Sequence, residues 1–113
     1  MEAKKMTTIM EKIDQEVKSN KIIVYLKGTK DAPQCGFSAA VIDAFNSLGV
    51  NFETRDVLSD DELREGIKKY SNWPTIPQVF INGKFIGGCD ITRELYQTGE
   101  LQKIVKEALG QAL

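Results

Sequence analysis

The chain predicts an α/β domain, a four-stranded mixed sheet flanked by helices on both faces. Three observations carry this reading. Ile22-Ile23-Val24-Tyr25-Leu26 is apolar at every position and rich in β-branched residues, as a strand buried between two layers must be. Helical and strand-like segments follow in the order α-β-α-β-α-β-β-α-α, so the first βαβ unit crosses over into a parallel pair. Asn82-Gly83 separates two short apolar runs, a hairpin signal that sets the last two strands antiparallel.

Each element has its own local cause. Thr8-Ile9-Met10-Glu11 spells a capping box, and Ile9, Ile13 and Val17 then draw one apolar stripe until Ser19-Asn20 ends the helix. Residues 1–6 stand outside as a flexible extension, and the domain runs over residues 7–110. After the buried strand, Lys27 to Gln34 is a polar loop containing Gly28 and Pro33. A second helix runs from Gly36 to Leu48, with Phe37, Ala40, Val41, Ala44, Phe45 and Leu48 on one face and Gly49 as its left-handed end. Val50 to Val57 is a shorter, more polar strand. Ser59-Asp60-Asp61-Glu62 is a second capping box, opening a helix whose Leu63, Ile67 and Tyr70 share a face; Gly66 weakens its middle turn.

Trp73-Pro74-Thr75-Ile76-Pro77 cannot be helical and leads into Gln78-Val79-Phe80-Ile81, the first arm of the hairpin, with Lys84-Phe85-Ile86 as its partner. Gly87-Gly88-Cys89-Asp90 is a tight turn with Asp90 as N-cap. The short helix after it passes through Ile91 and Leu95 and breaks at Gly99. Leu101, Ile104, Val105, Ala108 and Leu109 stripe the last helix.

Composition removes several functions. Of 113 residues 15 are basic and 16 acidic, a net charge of −1 that gives no basis for bulk nucleic-acid or anionic-membrane binding. With no histidine there is no histidine base, no His-containing zinc site and no ordinary pH switch. The longest apolar run, Ile22–Leu26, is far too short to span a membrane. Glu2, Lys4 and Lys5 charge the N-terminus, and no signal core follows. Two cysteines are too few for a disulfide framework. The expected compartment is the cytoplasm, or a reducing organelle after loss of a targeting peptide.

Chemistry gathers at Cys35, between a loop and a helix. There the free N–H groups of the first turn and the helix dipole favour a thiolate, taking the pKa below about 8.5, and Lys27 at the end of the neighbouring strand adds positive charge. The blander role is a cysteine that only caps or packs. Ser38 occupies the position where a Cys-x-x-Cys pair would resolve, so no local disulfide can form. The site must use an outside thiol, use distant Cys89, or hold something instead of exchanging it. Cys89 lies at a second helix start, where adjacent glycines admit a ligand and the N–H groups of Asp90 and Ile91 can bind a carboxylate; a buried, inert thiol is its alternative. Trp73 reads as a half-buried aromatic before it reads as a contact. The Ile76-Pro77 bond is trans by base rate; a cis bond would turn the Ile76 backbone toward an extended peptide. Lys27, Arg64 and Lys69 together suit a small dianionic thiol ligand.

In combination, Lys27-Gly28, Cys35-Gly36-Phe37-Ser38, the Trp73 to Gln78 run and Gly87-Gly88-Cys89-Asp90 resemble a monothiol glutaredoxin of the Cys-Gly-Phe-Ser class, a branch of the thioredoxin-like superfamily. The resemblance covers Thr7 to Gly110, and Thr29 to Gln34 are similar to the longer loop of that class. It implies a thioredoxin-like fold and a glutathione site. Cys35 would be the active thiol, with Lys27 facing the glycyl carboxylate or the cysteine sulfur, Arg64 reaching the same carboxylate and Phe37 lining the entrance. Ile76, ahead of a cis Pro77, would pair with the backbone of the glutathione cysteine. Gly88, Cys89 and Asp90 would receive the γ-glutamyl end.

The resemblance further implies a [2Fe–2S] cluster bridging two protomers and transferred to acceptor apoproteins, with BolA-like proteins as alternative partners. Ligand counting is consistent with it: four ligands are needed, and two Cys35 thiolates leave two for glutathione. The competing function is a glutathione-dependent thiol–disulfide oxidoreductase that removes glutathione from mixed disulfides. A regulatory Cys35–Cys89 disulfide is a third possibility, requiring Cα atoms closer than about 7 Å.

Overall fold

A computed structural model of the chain describes residues 2–110, with side chains from 8 to 110. The elements are α1 (Glu2–Ser19), β1 (Ile22–Leu26), α2 (Gly36–Leu48), β2 (Glu53–Asp56), α3 (Asp61–Ser71), β3 (Gln78–Ile81), β4 (Lys84–Gly87), α4 (Cys89–Thr98) and α5 (Glu100–Leu109). The sheet order is β2-β1-β3-β4. β1 pairs parallel with β2 and antiparallel with β3, which pairs antiparallel with β4, so the sheet is mixed as expected.

Strand periodicity divides the core in two. Ile22, Val24 and Leu26 point to one face of β1 and pack with Val41 and Phe45 of α2 and with Leu101 and Val105 of α5. Ile23 and Tyr25 point to the other, against Ile9, Ile13 and Val17 of α1 and Leu63 and Ile67 of α3. All five residues of β1 are buried, which is why that strand alternates no polar residue.

A partly buried carboxylate fastens the second layer. Tyr25 Oη donates to Glu16 Oε1 at 2.9 Å, and Arg55 Nε donates to Glu16 Oε2 at 3.1 Å, joining α1 to β1 and β2. Burial, then the charge of Glu16, pushes the Tyr25 hydroxyl far above its usual range, so it remains a donor. Tyr70 Oη donates to Asp14 Oδ1 at 2.7 Å and ties α3 to α1.

Four local expectations need correction. The first helix begins at Glu2, not at Thr8, because Glu-Ala-Lys-Lys-Met is a run of strong helix formers that carries the helix past the capping-box spelling. The flexible extension expected over residues 1–6 falls outside the residues with described side chains. β2 is half the length expected. The cap of α3 is Asp60, which accepts from Leu63 N at 3.1 Å, while Ser59 Oγ donates back to the Asp56 carbonyl at 3.1 Å. The N-cap of α4 is Gly88, and Asp90 lies in the first turn, where its charge still complements the helix dipole. No described helix is long and apolar enough to cross a membrane.

Gly66 has a packing reason that propensity could not reveal. A Cβ there would sit 3.1 Å from Ile9 Cγ1 and Cγ2 and 3.2 Å from Ile13 Cδ1, so the missing side chain sets how closely α3 approaches α1. Gly66→Leu improves helix propensity yet is expected to destabilise the fold by about 1–3 kcal/mol through overpacking, read as a lowered urea midpoint at unchanged m-value.

Candidate functional site

The loop after β1 is closed on itself before it delivers Cys35. Gln34 N donates to the Lys27 carbonyl at 2.9 Å, and an isolated antiparallel bridge pairs Gly28 with Pro33. Gly28 has φ +97°, and a Cβ on it would come within 2.6 Å of Ala32 O and Gln34 N, so only glycine fits this turn. Asp56 Oδ1 accepts from Gly28 N at 3.0 Å and from Leu58 N at 2.8 Å, anchoring the loop to the end of β2. Lys30 donates to the Phe52 carbonyl and lies 4.3 Å from the centroid of the Phe52 ring.

Cys35 is the N-cap residue of α2, with extended backbone at φ −150° and ψ 137°. Its sulfur is partly exposed and makes no side-chain cap hydrogen bond of good geometry. The N–H groups of Ser38 and Phe37 still face it and hold the thiol below its usual range; Lys27 and the Ser38 hydroxyl help, against a small cost of burial. Ser38 has no exposed surface, and its Oγ accepts from Lys27 N at 3.1 Å. The residue in the resolving position therefore binds the end of β1 to the start of α2.

Cys35 opens onto a cleft of about 640 Å³, lined by the nine residues to which the resemblance assigns a glutathione role: Lys27, Cys35, Phe37, Arg64, Ile76, Pro77, Gly88, Cys89 and Asp90. They come from five places in the chain. Phe37 is 61% exposed at the rim. Arg64 lies 3.4 Å from Asp61 Oδ1 and 3.8 Å from Glu65 Oε2, half-exposed pairs that hold it only weakly. Residues 73–77 form the facing wall, and the Ile76-Pro77 bond is cis, against the base rate. Gly88 permits the α4 start to abut that wall, since a Cβ there would lie 3.2 Å from Pro77 O and 3.4 Å from Trp73 Nε1. Trp73 is 37% exposed, lines the cleft and packs on Phe85 with centroids 5.8 Å apart.

Two further points modify the sequence reading. Lys68 lines the cleft and Lys69 does not; the signal was available, because Lys68 stands one helical turn after Arg64 on the same face. Cys89 is 8% exposed, and burial raises its thiol pKa, so its side chain is the inert one of the pair. Both thiols are free, and no Cys35–Cys89 disulfide is formed.

A partly exposed thiol at a helix start, facing a cis-proline wall across a cleft at one end of a mixed sheet, defines the thioredoxin-like class. The glutaredoxin family model matches residues 22–86. A ycf64-like monothiol glutaredoxin of Synechocystis is 61% identical over 99 residues, covering 88% of this chain and 92% of its own. The solution structure of reduced poplar apo GrxS14 superposes with a TM-score of 0.79 at 48% identity, over 89% of this chain and 93% of that one. A buckwheat glutaredoxin crystallised as a glutathione complex gives a TM-score of 0.85 at 28% identity, covering 96% and 97%. The chain belongs to the glutaredoxin family, in its monothiol branch.

Opposite environments predict opposite reactivities. Alkylation of the folded protein by iodoacetamide is expected to modify Cys35 with a pH midpoint below the ordinary thiol value of about 8.5. Lys27→Gln moves that midpoint upward, and Cys35→Ser leaves Cys89 slow throughout. Mass mapping of the alkylated peptides at each pH checks all three.

Proposed function

We propose that the chain binds glutathione in the Cys35 cleft and, as a homodimer, carries a [2Fe–2S] cluster to acceptor apoproteins. The convergence of an activated Cys35 with eight further cleft residues, while Ser38 is buried and occupied, is the observation that carries this reading.

Glutathione is an extended tripeptide with a thiol in the middle and a carboxylate at each end. The cleft has matching chemistry and a volume typical of small-molecule sites, about 300–1,000 Å³. Lys27 and Arg64, with Lys68 beside them, suit the glycyl carboxylate. Ile76 on the wall offers backbone to the central residue. The free N–H groups at the start of α4 and the Asp90 carboxylate suit the γ-glutamyl carboxylate and amine. The buckwheat relative's glutathione complex supports this assignment.

The donor set suits the cluster as cargo. A two-iron cluster takes four ligands, commonly thiolates. Each chain offers one reachable thiol, because Cys89 is buried, and among the described residues no three His, Cys, Asp or Glu side chains gather into a metal site. Two Cys35 thiolates and two glutathione thiolates complete the count only in a dimer. Half of the ligands are then diffusible, which makes the assembly labile, as transfer to an acceptor or to a BolA-like partner requires. Such a thiol site also requires a reducing compartment, cytoplasmic or organellar.

A lowered, reachable Cys35 also equips the chain for deglutathionylation. Its thiolate can attack the glutathione sulfur of a mixed disulfide, releasing the client thiolate, and a second glutathione then regenerates Cys35 with formation of glutathione disulfide. The carrier reading expects this turnover to be slow, because the residue 29–34 loop beside Cys35 restricts the second attack.

Anaerobic reconstitution with iron, sulfide and glutathione is expected to give a dimer with one cluster per two chains, visible in the absorption spectrum and in sedimentation. Omitting glutathione prevents it. Cys35→Ser abolishes it, and Cys89→Ser retains it because Cys89 contributes backbone rather than sulfur. A normal cluster in the Cys35 variant overturns the assignment, and rapid Cys35-dependent turnover of a glutathionylated disulfide without cluster formation favours the oxidoreductase.

A further inference from the structure

Gln78 stands at the start of β3, where an apolar side chain would be the natural occupant. All four residues of that strand are buried, and Gln78 has no exposed surface. Burying a carboxamide is unfavourable unless its polar atoms are paired, and Oε1 has no partner among the described residues. What the side chain gains comes from its other end. Nε2 donates to the Trp73 carbonyl at 3.0 Å and to the Thr75 carbonyl at 3.2 Å.

Those two carbonyls belong to the wall that faces Cys35. Pro74 and Pro77 deprive the wall of two N–H donors, so it cannot close a helical turn or a ladder of its own. Its entry is held by Trp73 N, which donates to Lys68 O and to Ser71 Oγ, each at 3.1 Å. Beyond that point the carboxamide of Gln78 grips the backbone from behind, on either side of Pro74. Ile76, the next residue after the gripped Thr75 carbonyl, lines the cleft.

We propose that Gln78 is a positioning residue, whose buried carboxamide sets the Ile76 peptide in the orientation that pairs with the backbone of a cysteinyl peptide ligand. This rests on the glutathione reading of the cleft. Gln78 itself touches no ligand; it acts through Trp73 and Thr75.

The chain has a single tryptophan, Trp73, which therefore reports on the wall independently of any ligand. Gln78→Met removes both donors while keeping length and burial. It is expected to unfold cooperatively in urea and to leave the Cys35 alkylation midpoint unchanged. Acrylamide quenching of Trp73 rises, and the dissociation constant for glutathione by calorimetry increases about tenfold, the loss of one well-placed hydrogen bond. Gln78→Glu supplies a reversible form. Its buried carboxyl is neutral at low pH and keeps one donor, so quenching falls as pH is lowered, a dependence absent from native protein and from the Met variant. If the Met variant does not fold, that pH dependence decides.

A folded Met variant with native quenching and native affinity overturns the proposal, as does a Glu variant whose quenching ignores pH. Failure of the native protein to bind glutathione overturns the ligand reading instead, and the quenching measurements then decide separately whether Gln78 holds the wall.

Discussion

The hydrogen bond from Lys27 N to the buried Ser38 Oγ is the contact on which the site depends. A strand and the helix that follows it are joined there by nine intervening residues, 27–35, a length that fixes little by itself. The buried hydroxyl fixes the junction. It brings the first turn of α2 against the end of β1, so that Cys35 sits at the N-cap with the Phe37 and Ser38 N–H groups facing its sulfur. A serine does this without chemistry of its own, since its oxygen cannot be oxidised to a disulfide. Activation of Cys35 and the absence of a local resolving thiol thus have one cause.

Everything else in the site is placed by the sheet. β1 is apolar on both faces and buried throughout, so it can only be central, and the elements delivering Cys35, the residue 73–77 wall and the α4 start end at one edge of it. Gly28, inside the loop before Cys35, is where backbone approaches too closely for a Cβ, and at Gly88, between α4 and the wall, a Cβ would make only a tight contact with the Pro77 carbonyl. Asp56 and Gln78 are the buried or half-buried polar groups that hold these two loops to strand ends. The loops carry the chemistry and the strands carry the precision.

Much of this was legible because the signals were local. The double apolar face of Ile22–Leu26, the Asn82-Gly83 turn and the Gly49 and Gly99 helix ends each follow from a few adjacent residues, and the mixed sheet follows from their order. The errors lie where tertiary packing or a neighbouring residue wins. Gly66 looked like a weak point of α3 because its partners, Ile9 and Ile13, are far away in sequence. Thr8 and Ser59 spelled caps that a longer helix and the adjacent Asp60 supplanted. Lys68 rather than Lys69 reaches the cleft because helical phase places it one turn after Arg64, a cue that charge alone does not carry. Gln78 has no role legible in the sequence, since a glutamine in an apolar run reveals its partners only when the backbone has folded around it.

The two cysteines show how far a helix start determines reactivity. Both stand at one: Cys35 as the N-cap of α2 and Cys89 as the first residue of α4 after a Gly88 cap. The dipole and the unpaired N–H groups are present in each, yet the thiols move in opposite directions. For Cys35 the facing N–H groups of Ser38 and Phe37 outweigh a slight loss of solvent. For Cys89 burial is the largest influence and the charge of Asp90 adds to it, so that nearby Arg93 does not compensate. Desolvation disfavours the thiolate at short range, while the field of a helix terminus is modest and needs an open path to the sulfur. A helix N-terminus therefore activates a cysteine only where the fold leaves the sulfur near water. Here that places the reactive sulfur at Cys35 and leaves Cys89 to contribute its backbone.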